Sequence, residues 1–342
     1  MELTLEGSTV RGGRQARERF HDARGYGRSV AGDLELAPVE AAHLLYRGDV
    51  ETIRDAESGE RLDFRALLAS ESVSEIDVLV YKDLRDRGFY LSPSIAGWVE
   101  DPESADFVVY PRGKGPWDDA VAYRVRAVSE RTDLPAGTLG DTVLAVVDEE
   151  SSITYLQTDR PDVRGTTDPG LPEGVPADLL SDRVLVWEPP AALYEEAFYG
   201  QPLDEEVGMP LQLSLVEAAA LARRGVLAID GGTAAVVERG REVEGDRFDR
   251  RLAVYRALRD RNVVPKTGYK FGADFRTYAD VEHVDELGHS ELLVRVLPSE
   301  HAFAPRDLAL DVRLAHGVRK RMVFALTDGD GIEWLSVSRL TP

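Results

Sequence analysis

Three residues in the last quarter of the chain carry complementary chemistry: the phenol of Tyr278, the imidazole of His289 and the ammonium of Lys320. A phenol and an imidazole can take up and deliver protons, and an ammonium can counter negative charge as it develops, which is enough for metal-free acid–base work on an anionic centre. Taken singly, each has a plainer explanation. A tyrosine packs at strand ends, a lysine snorkels at a strand edge, and a lone histidine is more often structural than catalytic. The six histidines stand at 21, 43, 283, 289, 301 and 316, and only His289 sits in a Gly288-His289-Ser290 step 11 residues after the tyrosine. Only five of the 41 basic residues are lysine, so a compact ammonium at 320 departs from the chain's habit.

The segments around these groups read as a strand and two strand starts. Residues 271–278 alternate and end on Tyr278, and His289 precedes an apolar strand from Glu291 to Val296. Lys320 begins a strand in which Val318, Lys320, Met322, Phe324 and Leu326 share one face. Ahead of it, Pro305 to His316 reads as a helix, with Pro at its start, Asp307 in its first turn and Gly317 after its end. Leu308, Val312 and Ala315 form its apolar stripe, leaving Arg313 and His316 on another face.

From Tyr255 to Arg339 this order resembles the archaeal tRNA-splicing endonucleases, whose active site is a Tyr/His/Lys triad. The resemblance implies that Tyr278 is the general base, His289 the general acid for the leaving 5′-oxygen and Lys320 the stabiliser of the transition state. A phenol is a poor base at neutral pH, so cations such as Arg276 or Lys320 have to assist it; an imidazole suits the acid role. It also implies removal of introns from precursor tRNA at bulge-helix-bulge sites, without metal or cofactor, leaving 2′,3′-cyclic phosphate and 5′-hydroxyl ends. Arg313 and Arg339 best match the arginines that sandwich a flipped-out bulge base in that family. Arg276 joins them as an RNA contact, because residues 250–276 hold eight Lys/Arg against Asp260 and Asp274.

That local balance runs against the whole chain, which has 41 Lys+Arg against 62 Asp+Glu and a net charge of −21. Such a charge opposes generic nucleic-acid binding at long range. Acid excess with arginine in place of lysine fits a salt-loving cell, where screening over about 3 Å at 1 M leaves recognition to close contacts; a GC-rich genome explains the lysine deficit equally well. The absence of cysteine excludes disulfides and thiolate chemistry. No apolar run is long enough for a membrane span, and nothing at the start resembles a signal peptide, so a cytoplasmic protein that binds neither membrane nor DNA is expected.

The chain repeats itself at a period near 175. Residues 34–42 match 211–219, 80–87 match 254–261 and 142–148 match 322–328, at offsets of 177, 174 and 180. The first two anchors read as helices, with a capping box at Ser214 and Glu217 and Pro38 at a first helical position. The third anchors read as hairpins around acidic turns, Asp148-Glu149-Glu150 and 328–331. The expected class is α/β: a tandem duplication of one unit with an α+β front subdomain and a mixed α/β, nuclease-like back subdomain. The first repeat is placed at 1–160 (subdomains 1–70 and 71–160), the Pro- and Gly-rich linker at 161–177 and the second repeat at 178–342 (178–245 and 246–342).

The first copy lacks the triad, since Gly140 or Asp141 stands where Lys320 does in the second and no histidine precedes its strand. The resemblance therefore implies a pseudocatalytic first repeat and a homodimer, in which Asp148, Glu149 and Glu150 dock on a basic groove of the partner. Two other readings stay open, a metal-dependent nuclease of restriction type and a non-catalytic RNA-binding scaffold. Against the first, the residues two before Lys266, Lys270 and Lys320 are Val264, Gly268 and Val318 rather than acids. Lys266 and Lys270 have no role on sequence grounds.

Overall fold

The computed structural model describes residues 2–95, 97–99, 104–118, 120–204, 209–328 and 331–342. Each half opens with a small front sheet, of six short strands within residues 3–62 and of four within 178–214. A helix follows the last long strand of each: α1 (Pro38–Tyr46) in the first half and its counterpart Leu215–Arg223 in the second. Segments 34–42 and 211–219 are thus not helical throughout, because the chain stays extended to Leu36 or Ser214 before it turns. Pro38 presets the helical φ in one copy, and the Ser214 hydroxyl accepts from the Glu217 N–H in the other. Both helices stop at a left-handed glycine, Gly48 (φ 71°) and Gly225 (φ 74°).

The back of the first half comprises α2 (Glu75–Asp86) and strands β1 (Leu91–Pro93), β2 (Phe107–Val109), β3 (Tyr123–Ser129), β4 (Thr142–Val147) and β5 (Ile153–Asp159). In the second half, with Leu215–Arg223 as α3, the back comprises α4 (Arg247–Asp260), β6 (Val264–Thr267), β7 (Phe275–Tyr278), β8 (Leu292–Pro298), α5 (Pro305–Gly317), β9 (Arg321–Thr327) and β10 (Ile332–Leu340). All ten strands form one sheet in the order 6-7-8-9-10-5-4-3-2-1, a palindrome that displays the duplication. The seam is the antiparallel β5–β10 pair, with Tyr155 opposite Leu340 and Asp159 opposite Ser336. Within this sheet each half contributes one parallel pair among the described residues, β3–β4 and β8–β9.

The core follows from this plan. On one face α5 covers the seam, and Leu308, Val312 and Ala315 pack with Leu144, Val146, Leu156, Met322, Phe324 and Val337 from both halves. On the other face each half packs its own helices against its own strands. Burying one such Leu, Val or Phe is worth about 1.5–3 kcal/mol, so this shared cluster ties the two halves together.

Two strand boundaries differ from the sequence reading. Residues 269–271 form a 3-10 turn closed by left-handed Gly272 (φ 69°), so the strand leading to Tyr278 starts only at Phe275. Val318 ends α5 and Arg319 turns with φ 57°, so Lys320 lies just before β9 rather than inside it. Of the second acidic turn, Gly329 and Asp330 lie outside the described residues.

Candidate active site

Strand direction alone brings the three groups to one end of the sheet. β7 runs antiparallel to β8, so its last residue, Tyr278, lies where β8 begins, and the Glu291 N–H donates to the Thr277 carbonyl there (3.0 Å). β8 and β9 are parallel, with Leu292 opposite Arg321. His289, three residues ahead of β8, and Lys320, one ahead of β9, therefore share that end.

Tyr278 and His289 line one open cavity of about 400 Å³, together with Asp280, Glu282, Glu286, Gly288 and Glu291. The Tyr278 ring is 7% exposed and sits in a small apolar cluster with Phe198, Val264 and Val281. The Arg276 guanidinium stands 5.7 Å from its centroid. His289 is exposed. Lys320 reaches the same end through the residue beside the histidine: its ammonium donates to the carbonyl and the hydroxyl of buried Ser290, at 2.5 Å each. Burial, then the charge of Arg276, lowers the Lys320 pKa. Arg276 also keeps a buried Nε without a partner. These are two cations close enough for one to lower the other's pKa, and one of them has an unused donor.

The other sequence-derived residues distribute unevenly. Arg313 is exposed on α5. Arg339 is exposed on β10, and extending the Met322–Val337 register by two places sets it opposite Lys320. In the acidic turn the Asp148 carboxylate accepts from the N–H groups of Glu150 and Ser152, at 2.9 and 2.8 Å, so it builds the turn. Glu149 pairs with Arg131 of its own chain. The excess of positive charge over 250–276 is partly spent inside the protein, because Arg251 pairs with Glu244 and Asp274, half-buried Arg259 donates to the Ala197 carbonyl and Lys266 is buried. Lys270 is exposed on the turn beside Tyr269. Among the described residues no group of His, Asp or Glu could hold a metal ion.

Lys266 finds its role behind the site. Its ammonium donates to the carbonyls of Phe198 (3.3 Å) and Gly200 (2.5 Å) and stands 3.6 Å from the Glu217 carboxylate. Burial would push the Glu217 carboxyl up, but Lys266 and the N–H groups of Gly200 and Ser214 outweigh it and hold Glu217 below the usual range. The first repeat has the same frame without the lysine: Glu40 accepts from Gly27 and Ala37, and burial pushes it up to about 7. The second repeat thus adds one ammonium to an inherited socket, placing it on β6 opposite Arg276. Lys266 was left without a role on sequence grounds, and lysine scarcity is the signal that sets it apart. Ser290 was visible in the Gly-His-Ser step, and nothing in the sequence marked Phe198.

Comparison with known proteins identifies the family. Residues 248–334 match the tRNA intron endonuclease, catalytic C-terminal domain. The tRNA intron endonuclease, N-terminal domain matches twice, at 1–68 and 175–238, so the front unit is duplicated. The chain is 66% identical to a tRNA-splicing endonuclease of Haloarcula marismortui and 61% identical to one of Natronomonas pharaonis, each over 100% of both chains. It is 40% identical to a tRNA-splicing endonuclease of Methanosarcina acetivorans over 99% of both. With a matched catalytic domain holding β7, β8 and β9, and identity running the full length, the chain belongs to the tRNA intron endonuclease family.

Proposed function

We propose that this chain excises introns from precursor tRNA, cutting at bulge-helix-bulge sites with Tyr278, His289 and Lys320 and without a metal. In the reaction Tyr278, as phenolate, takes the proton of the 2′-hydroxyl. The 2′-oxygen attacks phosphorus, the bond from phosphorus to the 5′-oxygen breaks, and protonated His289 delivers a proton to that oxygen. Lys320 and Arg276 counter the charge on the pentavalent centre. The products are a 2′,3′-cyclic phosphate and a 5′-hydroxyl, and water returns the two protons to their starting positions.

The observation that carries this reading is the convergence of phenol, imidazole and ammonium at one end of three neighbouring strands. Gly140 and Asp141 precede β4 in the first repeat, so one site per chain is expected. A homodimer would set two sites related by a two-fold axis, one for each bulge, with the acidic turn 148–150 docked on the partner and Arg313 and Arg339 gripping a bulge base.

Cleavage of a bulge-helix-bulge RNA in EDTA tests the reading. The protein cuts and leaves cyclic phosphate ends, and His289→Ala loses roughly 10²-fold or more. Cleavage lost in EDTA and restored by magnesium would overturn the triad and move the metal-dependent reading to first place.

A further inference from the structure

Two short segments of the front subdomains superimpose residue for residue at an offset of 173, and they differ at one informative position. In the first repeat the Gly25 N–H donates to the His21 carbonyl and the Tyr26 N–H to the Phe20 carbonyl. In the second, Phe198 donates to Tyr194 and Tyr199 to Leu193. The next residue, Gly27 or Gly200, donates to the buried carboxylate of Glu40 or Glu217. The position in question is left-handed in both copies, Gly25 at φ 64° and Phe198 at φ 50°. Glycine adopts that backbone freely, whereas a bulky side chain there is strained. The repeat without the triad keeps glycine, and the repeat with it carries phenylalanine.

The strained side chain has a definite destination. The Phe198 ring meets the Tyr278 ring edge to face, with centroids 5.6 Å apart at 66°, and is 5% exposed. Its carbonyl accepts from buried Lys266 and half-buried Arg259, so cations from β6 and α4 fix the strained backbone from behind. In the first repeat the equivalent space is filled differently: a Cβ on Gly25 would come within 2.6 Å of the Tyr90 ring. Strain retained where the triad stands, and absent where it does not, marks a residue kept for the site.

We infer that Phe198, from the front subdomain, is a positioning residue that holds the Tyr278 phenol in its reactive orientation. The inference rests on the reading of Tyr278 as the general base. Phe198 is buried against the base, so it acts on the chemical step rather than on RNA binding. The front subdomain of the second repeat is then part of the catalytic apparatus.

Single-turnover cleavage of an intron-containing precursor tRNA, measured across pH for Phe198→Leu, Phe198→Gly and Tyr278→Phe, tests it. Phe198→Leu keeps apolar bulk, and Phe198→Gly relieves the backbone, so at least one stays folded at the assay temperature. The expected result is a rate roughly 10- to 100-fold lower for the Phe198 variants with RNA affinity nearly unchanged, and a displaced pH profile on the limb that Tyr278→Phe abolishes. A folded Phe198 variant with the wild-type rate and profile overturns the inference, as does a loss that follows melting temperature and leaves the profile in place. Wild-type activity in Tyr278→Phe would remove the base assignment itself, whatever the Phe198 variants do.

Discussion

The ammonium of Lys266 and the carboxylate of Glu217 face each other at 3.6 Å with side-chain exposures of 9% and 10%, and this pair joins the front helix α3 to the edge strand of the catalytic sheet. Its members serve two purposes at once. Glu217 caps the start of α3, while Lys266 draws in the carbonyls of Phe198 and Gly200 behind Tyr278. Neither charge is near water, so neither can be removed alone without leaving the other stranded.

Lys266→Met is therefore expected to cost about 3–5 kcal/mol at pH 8. The sign with pH follows from the carboxyl. In the native protein Glu217 is held low, so its contribution is present above its unfolded value near 4.5 and is lost as pH falls through the folded one. Without the lysine the carboxyl rises, as burial raises Glu40 to about 7, and the folded variant takes up a proton. The gap in melting temperature between variant and wild type should widen from pH 5 to 8, where that uptake is lost; a constant gap would show that the pair is not what links the two subdomains.

Ser290 holds Lys320 by two oxygens, of which only the hydroxyl is removable by mutation. Ser290→Ala is expected to slow cleavage roughly tenfold, less than the loss for Lys320→Ala, because the carbonyl remains. Lys320→Arg should not restore the rate, since a planar guanidinium cannot place a point charge between the same two oxygens. Single-turnover rates of the three variants give the order directly.

The docking proposed for the acidic turn is tested without breaking the turn. Asp148→Asn keeps an acceptor for the N–H groups of Glu150 and Ser152, and it can be combined with Glu149→Gln and Glu150→Gln. Light scattering over a dilution series should show a dimer that dissociates at roughly tenfold or more higher concentration. Unchanged dissociation would place the interface elsewhere.

Arg313→Ala and Arg339→Ala should weaken RNA binding by about 0.5–2 kcal/mol each, with the larger effect at a bulge base that has been unstacked. Binding to an RNA of the same length without bulges should be unaffected, and equal losses on both RNAs would reduce the arginines to phosphate contacts.

The catalytic half of this plan was legible because its signals are local. The apolar run of 291–296 and the Pro-to-Gly punctuation of 305–317 each depend on near neighbours, and the strand and helix they announce came out within a few residues. The duplication was legible for a similar reason, since three anchors carried it. What escaped depends on residues far apart in the chain. Phe198 meets Tyr278 across 80 positions and Glu217 meets Lys266 across 49, and no periodicity encodes such a meeting. The +6 balance over residues 250–276 misled for the reverse reason, because counting charges along the chain ignores that Arg251, Arg259 and Lys266 are spent inward.

The β5–β10 seam has a consequence for how such a chain could arise. A single unit ending in β10 would present a nine-residue strand with one open side, and an open strand of that length recruits whatever extended chain it meets. Its safest partner is another copy of itself, joined strand to strand about a two-fold axis. Fusing two copies makes that encounter intramolecular and independent of concentration. Once β5 is always at hand to close the edge, the copy that supplies it is free to shed its catalytic groups and survive as a permanent border.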